Sequence, residues 1–425
     1  MLVRFDYGKS GLMADLPDKN LIGVLGIKAA PPIANAADAV NSALLTPVGT
    51  APLPLLAAGK RSACIVICDI TRPVPNKTLL PPVLRILEEA GITRDAITIL
   101  IATGTHRPNL GAELDQLVGE DIAAAYKVVN HHCKRGDEQV YLGVSPEGVP
   151  VYLDRDYCEA ELRITIGLIE PHFMAGYSGG RKLIMPGIAA FETIQNWHCP
   201  RFLESPLAAA GVVDKNPVHS ESVAIAKMCS PDIILDVTLD ENNCITGIFA
   251  GDLEQAWLEG VRFAAEHNSA LISRRADIVV TSCAGSPLDA TFYQAVKGMV
   301  GAIPAVKQGG TIIIAAECEE GLGSPDFASL LLDTDDLDAF VRHISQPGIF
   351  LSEEWEVEEL AKAVNHASIT CVTSGIVPET LARCFVSPAR SIEEAVESAL
   401  MKHGDMATIL AIPRGPYVIP RPLYV

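Results

Sequence analysis

The sequence is poor in positive charge and in aromatic residues. Its 425 residues include 33 Lys and Arg against 52 Asp and Glu, a formal net charge of -19, and aromatic residues make up 5%. Phosphate backbones and anionic membrane surfaces bind to basic protein surfaces. We therefore expect neither nucleic acid nor a membrane as a partner. An anionic substrate would need a local cluster of Arg and Lys to overcome the field of the whole protein.

Signals for export and for membrane insertion are also missing. Residues 1–8 lack a basic segment followed by an apolar one, and no run of about 18 apolar residues marks a membrane span. The sequence thus predicts a cytoplasmic protein. The 11 cysteines include no Cys-x-x-Cys pair, so we interpret them as reduced, structural residues rather than as zinc or iron–sulfur ligands.

What is present predicts an α/β fold with two α/β domains, mostly parallel sheets and an active-site cleft between them. Hydrophobic residues make up 49% of the chain, and 425 residues exceed what one core usually serves. From position 62 onward short apolar runs alternate with helical patterns, as in βαβ units. The pattern starts afresh after position 275. We therefore assign 1–272 to the first domain and 273–425 to a second domain that closes the cleft.

Individual elements follow from the periodicity of the apolar residues. The pattern predicts strands over 64–68, 96–101, 162–168, 277–281, 311–316, 368–372 and 407–412. It also predicts an antiparallel pair within 140–153, one helix over 112–126, and a turn at Gly309 and Gly310.

Polar residues follow three of the predicted strands, where open α/β sheets bind ligands. Asp69 and Arg72 follow the first strand; such a pair suits a carboxylate ligand or, equally, a helix cap with a surface ion pair. His106 and His172 follow two further strands. A single histidine there is more often a turn residue, but two histidines together with an Asp/Arg pair favour acid–base chemistry.

A glycine-rich loop with a basic pair follows the third of these strands. Residues 176–187 read Gly-Tyr-Ser-Gly-Gly-Arg-Lys-Leu-Ile-Met-Pro-Gly. Small residues followed by basic ones bring backbone N–H groups and cations to a phosphate. The loop has neither the P-loop spacing nor Gly-x-Gly-x-x-Gly, which weakens the NTPase and NAD interpretations. His198, at the end of a helical segment, suits either a helix C-terminus or a metal ligand.

One segment of the second half adds to the candidate site. Gln294 and Lys297 lie three residues apart in a helix predicted over 290–305, so they share a face. Either that face is solvated, or it points into the cleft and forms a second anion clamp opposite Arg72.

Taken in order, these motifs resemble those of the lactate racemase family, whose members carry a nickel-pincer nucleotide. The resemblance rests on Asp69-Ile-Thr-Arg72-Pro73, Thr103-Gly-Thr-His106, Glu170-Pro-His172, Gly176-Tyr-Ser-Gly-Gly-Arg-Lys182, Trp197-His198, Tyr293-Gln294-Ala-Val-Lys297 and, more weakly, Glu354-Trp355. The motifs span most of the chain, and they are specific jointly rather than singly.

The resemblance implies a role for each matching residue. It implies that Lys182 carries the cofactor through a thioamide and that His198 is the protein ligand to nickel. It implies His106 and His172 as the acid–base pair, with Asp69 orienting its neighbours. The residues implied to hold the substrate carboxylate are Arg72, Gln294 and Lys297. The further residues implied to contact the cofactor are Thr71, Ser178, Gly179, Gly180, Tyr293 and Trp355.

The implied function is racemisation or epimerisation of a 2-hydroxy acid by proton-coupled hydride transfer to the tethered cofactor, through a 2-keto acid. Hydride removal suits this substrate because a C–H bond beside a carboxylate is poorly acidic. Separate maturation proteins would build the cofactor, and the sequence leaves the oligomeric state open. Two alternatives also stay open: a nicotinamide-dependent 2-hydroxy acid dehydrogenase, and a non-catalytic protein that binds the cofactor or an organic anion.

Overall fold

The computed structural model describes residues 1–346 and 348–423, in which strands and helices alternate. The strands, in chain order, are β1 Leu2–Phe5, β2 Leu12–Asp15, β3 Leu21–Val24, β4 Ala63–Cys68, β5 Ile97–Ala102, β6 Lys127–Asn130, β7 Gln139–Val144, β8 Pro150–Asp154, β9 Leu162–Leu168, β10 Pro171–His172, β11 Gly176–Tyr177, β12 Ile233–Leu239, β13 Ile245–Gly251, β14 Ser269–Ile272, β15 Ala276–Ser282, β16 Val306–Ala315, β17 Ser368–Val372, β18 Ser387–Ala389, β19 Ile409–Ile412 and β20 Ile419–Pro422. The α-helices are α1 Ala36–Leu45, α2 Leu53–Ala57, α3 Asn76–Glu89, α4 Ala112–Val118, α5 Glu120–Ala125, α6 Arg155–Cys158, α7 Phe191–Trp197, α8 Pro200–Leu203, α9 Pro217–Met228, α10 Gln255–Asn268, α11 Phe292–Ala302, α12 Pro325–Leu332, α13 Leu337–Ile344, α14 Glu354–His366, α15 Pro378–Ala382 and α16 Ile392–His403. The alternation confirms the predicted α/β class.

Two six-stranded sheets form the centres of two layered bodies. The first has the strand order β13-β12-β9-β4-β5-β6 and is parallel except at β13, which is antiparallel to β12. Helices α1 and α3 pack on one face of this sheet, and α9 and α10 pack on the other. The second sheet, β18-β17-β16-β15-β19-β3, is wholly parallel. Central strands read as continuous apolar runs because helices cover both faces.

The N-terminal segment joins the second sheet, which differs from the assignment of all of 1–272 to the first domain. Strand β3 pairs in parallel with β19, opposing Leu21 to Ile409. The β1–β2 hairpin contributes Phe5 and Ala14 to a core shared with β16 and α16. Each partner lies in the C-terminal third of the chain, so local periodicity carries no signal of the pairing.

Two local predictions were wrong. The helix predicted over 112–126 is divided into α4 and α5 at Gly119, whose φ of +90° no α-helix admits. The turn predicted at Gly309 and Gly310 lies inside β16, where Gly309 has a φ of +75° and the pairing with β15 shifts register. An irregularity within one strand accommodates the two glycines.

The candidate site lies where parallel strands of the first sheet end. Strands β4, β5 and β9 stop at one edge of this sheet, and α11 and α14 of the second body supply the opposite wall. The predicted cleft between the two bodies is therefore present. Among the residues that the structure describes, no helix is both long enough and apolar enough to span a membrane.

Candidate active site

Most of the predicted site residues line this one cleft. Those in its wall are Asp69, Thr71, Arg72, His106, His172, Ser178, Gly179, Lys182, His198, Tyr293, Lys297 and Trp355. Gln294 lies instead at an adjoining opening, and Gly180 is buried behind the wall. The fold thus brings together residues that are far apart in the sequence.

His106 is held by a buried carboxylate. Its Nδ1 lies 2.6 Å from Asp69 Oδ2, and Thr71 donates to Asp69 Oδ1 from its hydroxyl at 2.6 Å and its backbone N–H at 3.2 Å. Burial raises the pKa of the Asp69 carboxyl, but His106, Thr71 and Arg72 lower it more, so the net shift is downward. An ionised Asp69 keeps the imidazole proton on Nδ1, which leaves the lone pair on Nε2.

His172 has the opposite hydrogen-bond pattern. The backbone N–H groups of Met174 and Ala175, in the turn between β10 and β11, donate to its Nδ1 at 3.3 and 3.2 Å. Its Nε2 lies 3.1 Å from Lys182 Nζ. Burial lowers the pKa of His172 well below its ordinary value, and the nearby cations Lys297 and Arg72 lower it further, so the ring is neutral.

Arg72 is anchored by a carboxylate that the sequence did not single out. Its Nε lies 2.9 Å from Glu170 Oε1, and both side chains are mostly buried. Burial lowers the pKa of the guanidinium, but Glu170 and Asp69 raise it by more. The pair fixes the direction of the guanidinium. Nη1 makes only long contacts of 3.4 Å with the Thr71 carbonyl and hydroxyl oxygens, so the terminal nitrogens can still donate to a carboxylate.

Two glycines and a buried carboxylate shape the loop that carries Lys182. Gly179 and Gly180 have φ values of +74° and +48°, which glycine adopts without strain. A Cβ on Gly179 would lie 2.8 Å from a neighbouring isoleucine side chain, so the turn also needs the space. The N–H of Gly180 donates to Asp236 Oδ2 at 2.8 Å, and burial raises the pKa of that carboxyl to about 7. A short 3-10 helix then places Lys182 in the cleft wall.

Helix α11 turns a cation towards the cleft from the opposite side. Lys297 donates a short hydrogen bond to Gln294 Oε1, and both side chains are buried, so their shared face is not solvated. Burial and Arg72 lower the pKa of Lys297 to about 8. Trp355 Nε1–H donates to the Tyr293 hydroxyl at 2.8 Å, which ties α11 to α14.

The surroundings of His198 fit a metal ligand. Its ring lies between Trp197 and Trp355, with centroids 4.2 and 4.9 Å away. Its Nδ1 is buried and finds no hydrogen-bond partner in the described part of the chain. Burial lowers its pKa well below the ordinary value, and a neutral imidazole offers a lone pair that suits nickel. Within 1–346 and 348–423, no three His, Cys, Asp or Glu side chains gather into a site that would hold a metal alone.

The sequence analysis gave no role to three carboxylates at this site. Besides Glu170 and Asp236, Glu356 lies in the cleft wall, and its Oε1 has no partner among the described residues. Two of them had a signal in the sequence: the charge of Asp236 interrupts the apolar run of β12, and Glu170 is the first residue of the Glu170-Pro-His172 motif. Glu356 had none, since glutamate is common on exposed helix faces.

Comparisons with known proteins agree with the motifs. Residues 7–211 match the model of the lactate racemase N-terminal domain, and residues 271–419 match that of the lactate racemase C-terminal domain. A lactate racemase from Thermoanaerobacterium thermosaccharolyticum is 37% identical over 423 residues, which is 99% of each chain. A lactate racemase from Lactiplantibacillus plantarum is 36% identical over 418 residues, covering 97% of this chain and 98% of the relative.

Solved structures show the same relation. The lactate racemase apoprotein from T. thermosaccharolyticum has a TM-score of 0.92 at 36% identity and covers 99% of this chain and 100% of its own. A protein from Thermotoga maritima has a TM-score of 0.75 at 17% identity over 93% of this chain and 100% of its own, which shows the fold alone. The resemblance inferred from the motifs is thereby confirmed. This chain belongs to the lactate racemase family and is an isomerase of the racemase class.

Proposed function

We propose that this chain racemises lactate or a closely related 2-hydroxy acid, using a nickel-pincer nucleotide attached to Lys182. The observation that carries the proposal is that one cleft contains all of the groups needed. His106 and His172 line it with opposite hydrogen-bond patterns, and so do the side chains of Arg72, Lys297 and Lys182. The relatives named lactate racemase support the choice of substrate class.

The substrate carboxylate would bind between Arg72 and Lys297. Glu170 pairs with the Nε of Arg72, so a substrate carboxylate can approach the terminal nitrogens at the other end of the guanidinium. Gln294 orients the Lys297 ammonium and has an amide N–H group to offer. The apolar part of a small acid would meet a wall that includes Phe173, Met174, Leu183 and Ile194.

The two histidines would exchange protons with the substrate hydroxyl. His106 would accept the hydroxyl proton of one enantiomer at Nε2, because Asp69 holds its Nδ1–H. His172 would exchange a proton at Nε2 with the hydroxyl of the other enantiomer. Two groups are needed because the hydroxyls of the enantiomers point in different directions when the carboxylate stays fixed.

The residues present fit the cofactor. Lys182 would hold it covalently through a thioamide, and His198, with its neutral ring and unpartnered Nδ1, would bind the nickel. The other residues that would contact it are Thr71, Ser178, Gly179, Gly180, Tyr293 and Trp355. When bound, the group supplies a hydride acceptor, so that a planar 2-keto acid forms in place of a carbanion beside a carboxylate.

We further propose that separate maturation proteins build the cofactor and that the chain works in the cytoplasm. The family resemblance supports the first statement. Eleven free cysteines, including several buried ones, support the second, because thiols stay reduced in the cytosol.

Co-expression with a pincer-maturation system tests the proposal. Intact-protein mass spectrometry and nickel analysis should show an added mass with near-stoichiometric nickel, and chiral chromatography should show conversion of L-lactate into D-lactate. Lys182→Ala is the control and should show no added mass, no bound nickel and no conversion of lactate. Full racemase activity in Lys182→Ala would refute the attachment. Stoichiometric consumption of NAD with L-lactate would replace the racemase proposal with a dehydrogenase.

A further inference from the structure

A contact between two side chains of the cleft has a consequence for how the cofactor becomes attached. Lys182 Nζ and His172 Nε2 are 3.1 Å apart, a hydrogen-bond distance between a lysine and an imidazole. One of the two nitrogens must donate and the other must accept. Which one donates follows from the other contacts of the imidazole.

The backbone decides the direction of this hydrogen bond. The N–H groups of Met174 and Ala175 both point at Nδ1 of His172. Nδ1 therefore accepts, and a neutral imidazole then carries its proton on Nε2. An Nε2–H donates to Lys182 only if the lysine has a lone pair, and an ammonium has none. The geometry thus requires an uncharged amine at Lys182.

The charges around the Lys182 amine also favour its uncharged form. Burial and three cations, Arg181 on the same loop, Arg72 after β4 and Lys297 on α11, lower the pKa of Lys182 well below its ordinary value. Glu170, after β9, is the anion that opposes them. Burial and these same cations lower the pKa of His172 as well, so the imidazole stays neutral beside the amine.

We propose that His172 holds the Lys182 amine in its uncharged, nucleophilic form, so that the apoprotein acylates itself at Lys182 when an activated carboxyl derivative enters the cleft. The Lys182 nitrogen leaves its hydrogen bond with His172, and its freed lone pair attacks the carbonyl carbon. A C–N bond forms, and the bond to the leaving group breaks with its electron pair. The ammonium proton then passes to the departing anion or to water. The natural donor, an activated form of the pincer thiocarboxyl group whose C=S carbon takes the place of the carbonyl carbon and leaves a thioamide, rests on the proposed function, whereas the reactivity of the amine does not.

Lys297 is the internal comparison for this reactivity. It lines the same cleft, but its Nζ donates to the Gln294 oxygen, a contact that an ammonium can make. Its pKa of about 8 leaves roughly one molecule in ten uncharged at pH 7. An uncharged Lys182 should then react roughly tenfold faster than Lys297 at pH 7, and this ratio should shrink towards pH 9.

The test uses the full-length apoprotein and a nicotinoyl thioester of N-acetylcysteamine as the probe. Peptide mass spectrometry follows the added nicotinoyl mass at each lysine from pH 6 to pH 9. Preferential labelling of Lys182 at pH 7, with a rate nearly independent of pH, is the expected result. Labelling no faster than that of Lys297, or a rate at Lys182 that climbs steadily with pH up to 9, overturns the proposal.

Variants separate the hydrogen bond from general packing. His172→Leu removes the donor to the amine and should slow labelling of Lys182 roughly fivefold at pH 7. His172→Gln should restore most of the rate, because its amide oxygen can accept from the Met174 and Ala175 amides while its N–H donates to Lys182. His219→Leu is the matched control, since His219 stacks on Trp257 outside the cleft, and its labelling should equal that of the wild type. Equal labelling rates in wild type and His172→Leu, both folded by circular dichroism, would overturn the proposal.

The two proposals fail in different ways. If Lys182 takes the nicotinoyl group but never acquires a nickel adduct during co-expression, the self-acylation stands and the proposed function falls. If co-expressed protein carries the nickel adduct and racemises lactate, but Lys182 of the apoprotein does not react with the thioester, the self-acylation falls and the proposed function stands.

Discussion

Replacing Asp69 by Asn should impair catalysis by reversing the tautomer of His106. Two donors from Thr71 occupy Oδ1 of Asp69, so the amide oxygen of Asn takes that position. The amide NH₂ group then faces Nδ1 of His106, where the carboxylate accepted before. Nδ1 must accept, and the imidazole proton moves to Nε2, where the substrate hydroxyl needs a lone pair.

The size of the loss follows from two contributions. A hydrogen bond to a charged group contributes about 1.5–3 kcal/mol, which corresponds to roughly 10-fold to 150-fold in rate. The wrong tautomer adds to this, and the comparable Asp→Asn change in a Ser-His-Asp triad costs about 10⁴-fold. Asp69 is only 4% exposed, so bulk water cannot replace the lost contact. We expect kcat to fall by about 10²-fold to 10⁴-fold, with KM nearly unchanged because Asp69 does not hold the substrate carboxylate.

The assay measures racemisation of L-lactate by chiral chromatography, with each rate divided by the nickel-adduct content of the sample. Asp154→Asn is the matched control, because Asp154 holds the buried His131 at 2.8 Å outside the cleft. Its folded protein should keep wild-type activity. Fully loaded Asp69→Asn protein with a kcat within about threefold of wild type would refute the tautomer argument.

Four further changes have defined outcomes. Lys182→Ala should retain no covalent adduct by intact-protein mass spectrometry, and an adduct there would contradict the attachment. His198→Ala should keep the mass of the nucleotide attached to Lys182 but contain no nickel by elemental analysis, because the variant lacks the imidazole lone pair. Retained nickel would place the protein ligand elsewhere. Arg72→Lys keeps the charge but loses the planar fork and the contact with Glu170, so steady-state kinetics should show KM raised roughly tenfold or more. For Glu358, burial and the neighbouring Glu204 raise the pKa from 4.5 to about 9. Between these two pH values the folded state keeps a proton that the unfolded state has released, so the free energy of unfolding falls as pH rises. The Tm advantage of Glu358→Gln should therefore widen between about pH 5 and about pH 8. A constant difference would contradict it.

Local periodicity was enough to locate much of the secondary structure. The strand predicted over 368–372 coincides with β17, and that over 162–168 coincides with β9. Such strands are buried on both faces, so their sequences are continuous apolar runs that differ from the amphipathic helices between them. The motifs after the strands also identified the family, because the carboxyl ends of parallel strands share one edge wherever the intervening helices lie.

Contacts between distant parts of the chain were not available from the sequence. The pairing of β3 with β19 joins residues near opposite ends of the chain, and it requires only that Leu21 and Ile409 be apolar, as many other residues are. The break at Gly119 depends on a φ of +90° that glycine permits but does not dictate. Apolar contacts and glycine are too common to specify a single partner or conformation.

The amino-acid sequence by itself determined the α/β class, the strand-end histidines and the order of motifs, because each depends on residues within a short segment. Only the tertiary structure decided which proton each histidine carries. Asp69 faces Nδ1 of His106, whereas backbone N–H groups face Nδ1 of His172 and Lys182 faces its Nε2. Hydrogen-bond direction depends on atoms a few ångströms apart, and only the folded chain brings Lys182 and His172 to that distance.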